Sequence, residues 1–412
     1  MSPAAPQSAA QPHAVRFIFL TILIDAMGFG IIMPVMPSLV MELTGTGVAR
    51  AAEIGGWLWL AYSLTLFLLG PTMGNLGDRF GRRVVLLGSL AGYGLDYLLM
   101  AFAPSLGWLF VGRILAGVFG GSYGPAQAAL ADLTPGDDRA RVFGLVGAAF
   151  GLGFVVGPAI GGLLGELGPR APFFAAAALA GINFVYGLLV FPETLSPEHR
   201  RAFDWRRANP VGAFRVLGKV TGLLPVALVL LLWQVASFVY PLTWSFYGIA
   251  RFGWSPGMIG VSLALVGITM TVEQLFATGR VVARFGERGA ATFGMISALL
   301  GFVAYAIVPH SWMAFAAIIF IAGQSFVQPS LSAMLSRRVP ANQQGEVQGF
   351  STSLMAVGAF VSPLILNPAF AYFQSGAAGF RFAGAAFVLA AIITALALLM
   401  LARTRRAAAP NG

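Results

Sequence analysis

Four ionisable residues lie inside long apolar segments of this 412-residue chain: Asp25, Asp96, Arg113 and Glu273. Burying a charged carboxylate far from water costs free energy, so the population of the protonated form increases. Such a group is suited to binding and releasing protons. These residue types at these positions therefore indicate proton chemistry in an apolar setting.

Each of the four also has a structural interpretation. Asp25 could be a hydrogen-bonded carboxylate at a helix kink, and a structural role explains Asp96 as well as proton coupling does. Arg113 could be the counter-ion of Asp25. Glu273 lies about 10 Å along a helix from Arg280, so it could instead pair, or extend, near the cytoplasmic face.

Other reactive centres are difficult to build from this composition. The absence of cysteine excludes disulfides, thiolate metal sites and thiol nucleophiles. The three histidines, His13, His199 and His310, lie outside the apolar segments, which argues against a histidine-based metal or catalytic centre. Residues 120–124 match G-x-S-x-G within an apolar segment that has no histidine partner, and Gly-Lys at 218–219 lacks the rest of a P-loop. We expect neither enzyme activity nor a cofactor.

The composition is that of an integral membrane protein. Hydrophobic residues make up 58% of the chain and charged residues only 10%, whereas globular chains carry about 25% charged residues. The net charge of +10 is then explained by loops that flank membrane spans, not by nucleic acid. A membrane-spanning helix needs about 20 apolar residues. Twelve segments qualify: 16–43, 51–77, 83–103, 106–133, 139–167, 170–192, 221–250, 255–281, 288–309, 311–338, 344–373 and 378–402.

The basic residues predict the orientation of these spans. With a cytoplasmic N-terminus, 20 of the 25 lysines and arginines fall in inner segments and four in outer ones. Basic residues are retained on the cytoplasmic side, so both termini should be cytoplasmic. We expect a multi-pass protein of a bacterial-type cytoplasmic membrane.

The two halves of the chain resemble each other. GNLGDRFGRR at 74–83 recurs as GRVVARFGER at 279–288, and the same offset of 205 relates Gly144 to Gly349 and Pro158 to Pro363. Each copy holds six spans, which indicates parallel repeats about an axis along the membrane normal. The predicted units are a disordered tail (1–15), two six-helix bundles (16–192 and 221–402), a cytoplasmic linker (193–220) with an interfacial helix around Trp205, and a cytoplasmic tail (403–412).

The segment 74–83 is a candidate gating motif between spans two and three. Its glycines allow a sharp turn, and Asp78 could accept hydrogen bonds at a neighbouring helix N-terminus. Arg82 and Arg83 could pair with Asp132 at the end of span four, although the arginines could also serve topology alone. The motif comprises Gly74, Gly77, Asp78, Arg79, Gly81, Arg82, Arg83 and Asp132.

Span five carries a second motif, GFVVGPAIGG. Three of its glycines recur every four residues and form one face for close helix approach, while its proline removes an amide donor and permits a bend. Generic packing is the alternative. The motif residues are Gly153, Gly157, Pro158, Gly161 and Gly162. In spans four, seven and ten, the candidate ligand donors are Gln127, Gln234, Gln324 and Gln328, each of which could equally bond between helices.

Together these features resemble the major facilitator superfamily, and within its proton-coupled drug antiporter branch the tetracycline exporters. The resemblance covers nearly all of 16–402. It rests on LIDAMGFGIIMPVMPSL (23–39), GDRFGRR (77–83), LDYLLMAF (95–102), GRILAG (112–117), GLGFVVGPAIGG (151–162) and RFGW (251–254). It implies that the glycine-arginine loop gates the cytoplasmic side, that the span-five motif is the antiporter motif, and that Asp25, Asp96 and Arg113 serve coupling or substrate handling.

One departure concerns the substrate. Tetracycline exporters also carry a carboxylate in the ninth span, whereas 288–309 contains none within the span and is apolar near Ala298. Glu273 could compensate. The range of substrates should therefore be broader than, or different from, tetracycline.

We predict an all-α integral membrane protein with twelve transmembrane helices in two pseudo-symmetric six-helix bundles. The predicted function is export of hydrophobic or amphipathic drug-like compounds, tetracycline among the candidates, by a monomeric proton-coupled antiporter that is driven by the proton gradient alone. A proton-coupled carrier of a small metabolite, such as a sugar or organic anion, is the alternative.

Overall fold

The computed structural model describes residues 12–120, 123–134, 138–204, 222–340 and 343–404, together with 209, 212 and 214. Most of both predicted tails, and the predicted helix around Trp205, lie outside these residues. Within them the chain forms sixteen α-helices: α1 (Pro12–Ile32), α2 (Met36–Thr44), α3 (Val48–Phe80), α4 (Arg82–Ala101), α5 (Leu106–Phe119), α6 (Tyr123–Leu133), α7 (Arg139–Gly165), α8 (Ala171–Val190), α9 (Leu223–Ser237), α10 (Val239–Phe252), α11 (Pro256–Phe276), α12 (Thr278–Ile307), α13 (Ser311–Ile321), α14 (Val327–Ser336), α15 (Gln344–Ser375) and α16 (Ala385–Arg403).

The prediction of an all-helical membrane fold is confirmed. Among the described residues, eleven helical segments are long and apolar enough to cross a bilayer, and a twelfth crosses if the bent pair α13–α14 counts as one span. Large apolar side chains point outwards, among them Leu163, Leu189 and Leu275, which are 69%, 80% and 71% exposed. Such surfaces suit lipid, and helices satisfy their backbone hydrogen bonds internally, as lipid requires.

Several predicted spans are broken helices. Span one divides into α1 and α2 at the turn that contains Pro34, with Pro37 in the first turn of α2. Span ten divides at a 3-10 turn, Ala322–Phe326, where α13 and α14 meet at a bend of 41°. Proline lacks an amide donor and breaks helical pairing, which accounts for the first break.

The internal repeat is visible in the backbone. Gly81 and Gly286, 205 residues apart, both have positive φ angles, 101° and 69°, which favour glycine. Two residues beyond each glycine, Arg83 donates to the Leu188 carbonyl (2.8 Å) and Arg288 to the Leu401 carbonyl (2.7 Å). In each half this arginine ties the third span to the last turn of the sixth.

The two halves meet at the end predicted to face outwards. There Trp59 Nε1 donates to the Ala359 carbonyl (3.1 Å), and Asn367 Nδ2 to the Ala52 carbonyl (2.7 Å). At the opposite ends of α3, α7 and α15, a Cβ added to Gly74, Gly144 or Gly349 would meet no atom within 4 Å. Among the described residues the two halves are therefore in contact at the outer end, and these three inner-end glycines have open space beside them, as an inward-open arrangement would require.

Candidate functional site

A cavity of about 310 Å³ lies between the two halves. Three of the four ionisable residues that the sequence predicted at membrane depth line it: Asp25, Asp96 and Arg113. The remaining lining is mainly apolar and aromatic, and includes Phe29, Met33, Met36, Leu58, Trp59, Tyr62, Tyr93, Tyr97, Phe150, Leu242 and Phe246. The cavity thus joins a few charges to a large apolar surface.

Arg113 pairs with Asp96, whereas the sequence suggested Asp25 as its counter-ion. Arg113 Nη2 lies 3.0 Å from Asp96 Oδ2 and 2.8 Å from Met100 Sδ. The Asp96 side chain is fully buried and that of Arg113 is 13% exposed. Two charges at this depth are tolerable because each offsets the other, while removal of one would leave a buried charge uncompensated.

Asp25 lies on α1, partly buried, at the wall of the same cavity. One turn further on, Gly28 packs beneath a tyrosine, since a Cβ there would lie 2.2 Å from Tyr97 Oη. The tyrosine belongs to α4, the helix that also carries Asp96. Glycine at position 28 therefore allows α1 to bring Asp25 close to the wall that holds the buried ion pair.

The turn after α3 brings together most of the candidate gating motif. Arg82 forms ion pairs with Asp78 (2.5 Å) and Asp132 (3.7 Å). The carboxylate at the N-terminus of α4 is that of Glu193, which accepts from the Arg82 amide at 2.9 Å. This corrects the expectation that Asp78 would take such a position. A Cβ at Gly81 would lie 2.0 Å from Glu193 Oε2, so glycine is needed there for space as well as for φ.

The other members of this motif have simpler surroundings. Arg79 lies over the neighbouring Phe80 ring, 5.0 Å from its centroid. Gly77 packs against Arg82 and Pro125, whereas Gly74 faces open space. Arg83 bonds to α8 and not to Asp132.

The start of the linker is a part of this site that the sequence did not reveal. Asn75 is buried, and its side chain donates to the Asp204 carbonyl (2.6 Å) and accepts from the Asp204 amide (3.4 Å). The Arg201 amide donates to the Asp78 carbonyl at 3.0 Å. Residues 193–204, which include the 3-10 turn Pro197–His199, therefore lie along the gating motif as a strap.

The C-terminal half carries the same ion pair with its charges exchanged. Glu287 and Arg337, which pair at 2.6 Å, occupy the positions 205 residues beyond Arg82 and Asp132. In the first half the arginine of the pair, Arg82, follows the loop between the second and third spans. In the second half the arginine, Arg337, is at the end of the fourth span of that half. The repeat of identical residues in the sequence does not reveal this pair, because the equivalent positions carry opposite charges.

The span-five motif holds α7 against two helices. Added Cβ atoms at Gly153, Gly157 and Gly161 would lie 2.6 Å or less from backbone oxygens of α1, so this face is the close helix contact that the spacing predicted. The opposite side faces α11, where a Cβ at Gly260 would lie 2.4 Å from the Pro158 carbonyl and one at Gly162 would lie 2.7 Å from the Pro256 carbonyl. The α7–α11 contact joins the two halves.

Glu273 and the four candidate glutamines do not line the described walls of the cavity. Glu273 accepts from Ser325 Oγ (2.6 Å) in the 3-10 turn between α13 and α14. Gln234 and Gln324 are buried, the former against Gly358 of α15 and the latter beside Tyr240. Gln328 bonds to Ser332 and Met355, and Gln127 is partly buried on α6. In this conformation the glutamines lie among the helices and not at the cavity wall.

Among the described residues, no group of three histidine, aspartate or glutamate side chains could hold a metal ion. The chemistry available in the cavity is that of carboxylates, one arginine and tyrosine hydroxyls.

Comparison with known proteins agrees with this architecture. The class C tetracycline resistance protein of Escherichia coli is 41% identical over 359 residues, which cover 87% of this chain and 90% of the relative. The class G tetracycline resistance protein of Vibrio anguillarum is 38% identical over 380 residues, which cover 92% and 95%. A crystal structure of the nucleoside transporter NupG has the same fold, with a TM-score of 0.81 at 12% identity over 96% of this chain and 100% of that one.

A family model extends these likenesses over nearly the whole chain. The model described as Major Facilitator Superfamily matches residues 18–363 and 252–412. Its span includes the cavity, the gating motif with its strap, and the glycine face of α7. With the twelve-span fold, these matches place the chain in the Major Facilitator Superfamily.

Proposed function

We propose that this protein is a proton-coupled antiporter that exports hydrophobic or amphipathic drug-like compounds by alternating access. It acts as a monomer in a bacterial cytoplasmic membrane, with both termini in the cytoplasm, and needs the proton gradient but no cofactor. The observation that carries the proposal is the inter-half cavity, where an aromatic wall meets Asp25 and the Asp96–Arg113 pair. It is a carrier and not an enzyme.

Exchange follows from electrostatics within a largely apolar cavity. A carboxylate such as Asp25 is most stable there when a proton or a substrate donor offsets its charge. Proton and substrate therefore compete for the same group, and each leaves as the other binds. The Asp96–Arg113 pair contributes a fixed dipole to the same wall, since Arg113 already compensates Asp96.

Tetracycline is the first substrate to test, because the two relatives described above are tetracycline resistance proteins. The ninth span contributes no acid to the cavity, since Ala298 of α12 is fully buried among apolar residues. A cavity with fewer carboxylates attracts a cationic substrate, such as a metal chelate of tetracycline, less strongly. We therefore expect transport of several lipophilic compounds, with tetracycline as one of them.

Purified protein in liposomes tests this directly. Uptake of tetracycline, ethidium and a fluoroquinolone into these proteoliposomes would be followed with and without an imposed pH gradient. Wild-type uptake should require the gradient, and Asp25→Asn should abolish coupled uptake while expression and folding persist. Glu53→Gln is the matched control, since Glu53 pairs with Arg50 on the outer part of α3. Full coupled transport by Asp25→Asn would refute the proposed role of Asp25, and gradient-independent flux of all compounds would refute the antiport mechanism.

A further inference from the structure

A single carboxylate joins the two halves where α7 ends and α11 begins. Glu166 directly follows α7, and its Oε1 accepts a hydrogen bond from the Gly257 amide at 2.7 Å. The Ser255 hydroxyl also bonds to the Glu166 carboxylate. Glu166 belongs to the first half of the chain, and Ser255 and Gly257 to the second.

The N-terminus of α11 is short of hydrogen-bond partners, and Glu166 supplies one. The first amides of a helix have no acceptor within the helix, and the helix dipole favours negative charge there. Pro256, at the first position, has no amide hydrogen to satisfy. The next two amides do: that of Gly257 bonds to Glu166, and that of Met258 to the Ser255 side chain (3.4 Å).

The two helices pack closely beside this exposed carboxylate. A Cβ at Gly165 would lie 2.7 Å from the Pro256 Cβ, and one at Gly257 would lie 2.7 Å from Glu166 Oε1. The contact can therefore exist only while α7 and α11 are pressed together at the outer end. Opening of the cavity to the outside would separate Glu166 from the α11 N-terminus.

Five other charged residues at this end of the molecule have partners of their own. Arg170, in the loop after α7, bonds to Glu42 and to two carbonyls at the end of α4, and Arg251 of α10 bonds to the Val308 carbonyl. Arg50 and Glu53 pair with each other on α3. The hydrogen bonds from Ser255 and then Gly257 lower the pKa of Glu166 below its ordinary value of 4.5.

We propose that Glu166 is the outer latch of the transport cycle: its carboxylate, bound to the α11 N-terminus, holds the outer end closed while the inner end is open. This inference rests on the alternating-access part of the proposed function. Neutralising Glu166 should raise the proportion of molecules that are open to the outside. Because the helix dipole acts mainly on the charged form, the ratio of outward-open to inward-open molecules should rise about two- to fivefold.

The sign of the pH effect follows from the lowered pKa. The latch is at full strength above the ordinary pKa of the group and is lost as the pH falls through the lowered value. Acidification below about pH 4.5 should therefore open the outer end of the wild type. The Glu166→Gln variant should lack this component of the pH response.

Because the chain contains no cysteine, spin labels can be attached at introduced cysteines alone. Spin labels would be attached at Ser105→Cys and Ala377→Cys, which are exposed positions at the outer ends of opposite halves. Pulsed electron paramagnetic resonance in nanodiscs would then measure the distance between the two halves at the outer end. The distance distributions of Glu166→Gln and Glu166→Ala would be compared with the wild type between pH 3 and pH 8. Glu53→Gln is the control, an outer carboxylate whose ion pair stays within one half.

We expect both Glu166 variants to show a larger population at long distances than the wild type. The increase should be greater for alanine, because alanine also lacks an oxygen to accept the hydrogen bond from Gly257. Glu53→Gln should show no increase. Distributions identical to the wild type at every pH would overturn the proposal, as would an equal shift in Glu53→Gln. No substrate or proton gradient is used, so failure of the antiport mechanism would appear only in the vesicle assay.

Discussion

The buried Asp96–Arg113 pair offers a direct test of the site. Arg113→Met keeps an unbranched apolar stem but removes the guanidinium charge that offsets Asp96. The Asp96 side chain has no exposed surface, so water cannot replace the lost partner. Removing one partner of such a pair costs about 3–5 kcal/mol. The exposed pair Arg50–Glu53, with side chains 60% and 35% accessible, should contribute at most about 1 kcal/mol.

Unfolding of purified protein in mixed micelles, followed by circular dichroism against denaturing detergent, would measure these differences. Arg113→Met should lose about 3–5 kcal/mol, whereas Arg50→Met should change the free energy of unfolding by at most about 1 kcal/mol. The double variant Asp96→Asn/Arg113→Met should regain most of the loss, because both charges are then absent. All variants at positions 96 and 113 should lose coupled transport, including the double variant that folds well.

The opposite pattern would refute the reasoning. If Arg113→Met were no more damaging than Arg50→Met, the carboxylate of Asp96 would be accommodated without its partner. If the double variant were as unstable as the single one, the loss would come from packing and not from an uncompensated charge.

Three further outcomes follow from the contacts. Gly157→Leu should abolish the monodisperse peak in size-exclusion chromatography, because its Cβ would lie 2.5 Å from the Met27 carbonyl oxygen. Gly147→Leu on the same helix has open space and should retain the peak. Equal behaviour of the two variants would contradict the close α1–α7 contact. Gly81→Ala, forced to φ 101° and ψ 154° and with its Cβ 2.0 Å from Glu193 Oε2, should lose at least about 1–3 kcal/mol in the same unfolding assay, and an unchanged value would show that the turn relaxes. Glu273→Gln should leave resistance to several lipophilic drugs in a sensitive host largely intact, and high-level resistance confined to tetracycline and lost in this variant would show that Glu273 replaces the missing ninth-span acid.

The sequence was sufficient for features that depend on one helix at a time. Span length and hydropathy predicted the membrane helices because lipid imposes both, and a spacing of four residues predicted the glycine face because the helical period is nearly the same. Partners on different helices could not be predicted in this way. Arg113 pairs with Asp96 because of how α4 and α5 pack, which no periodicity encodes.

The same limit explains the residues that were missed. Asn75 is 129 positions from its partner Asp204, and Glu193 is 111 positions from its partner Arg82, so only the fold brings the strap onto the gating motif. Glu166 resembled any exposed loop acid until the structure placed it at the N-terminus of α11. The glutamines looked like ligands because polar side chains are rare in the spans, yet a buried amide also bonds readily to its neighbours.

The exchanged charges of the duplicated ion pair have a consequence for closure of the inner end. A faithful duplication would have placed arginine at both loop positions and aspartate at both span ends, so that positions related by the two-fold axis carried like charges. Here Arg82 corresponds to Glu287 and Asp132 to Arg337, so each position of the pair carries the opposite charge in the other half. Wherever closure brings two such equivalent positions near each other they would attract, whereas an exact copy would place like charges there.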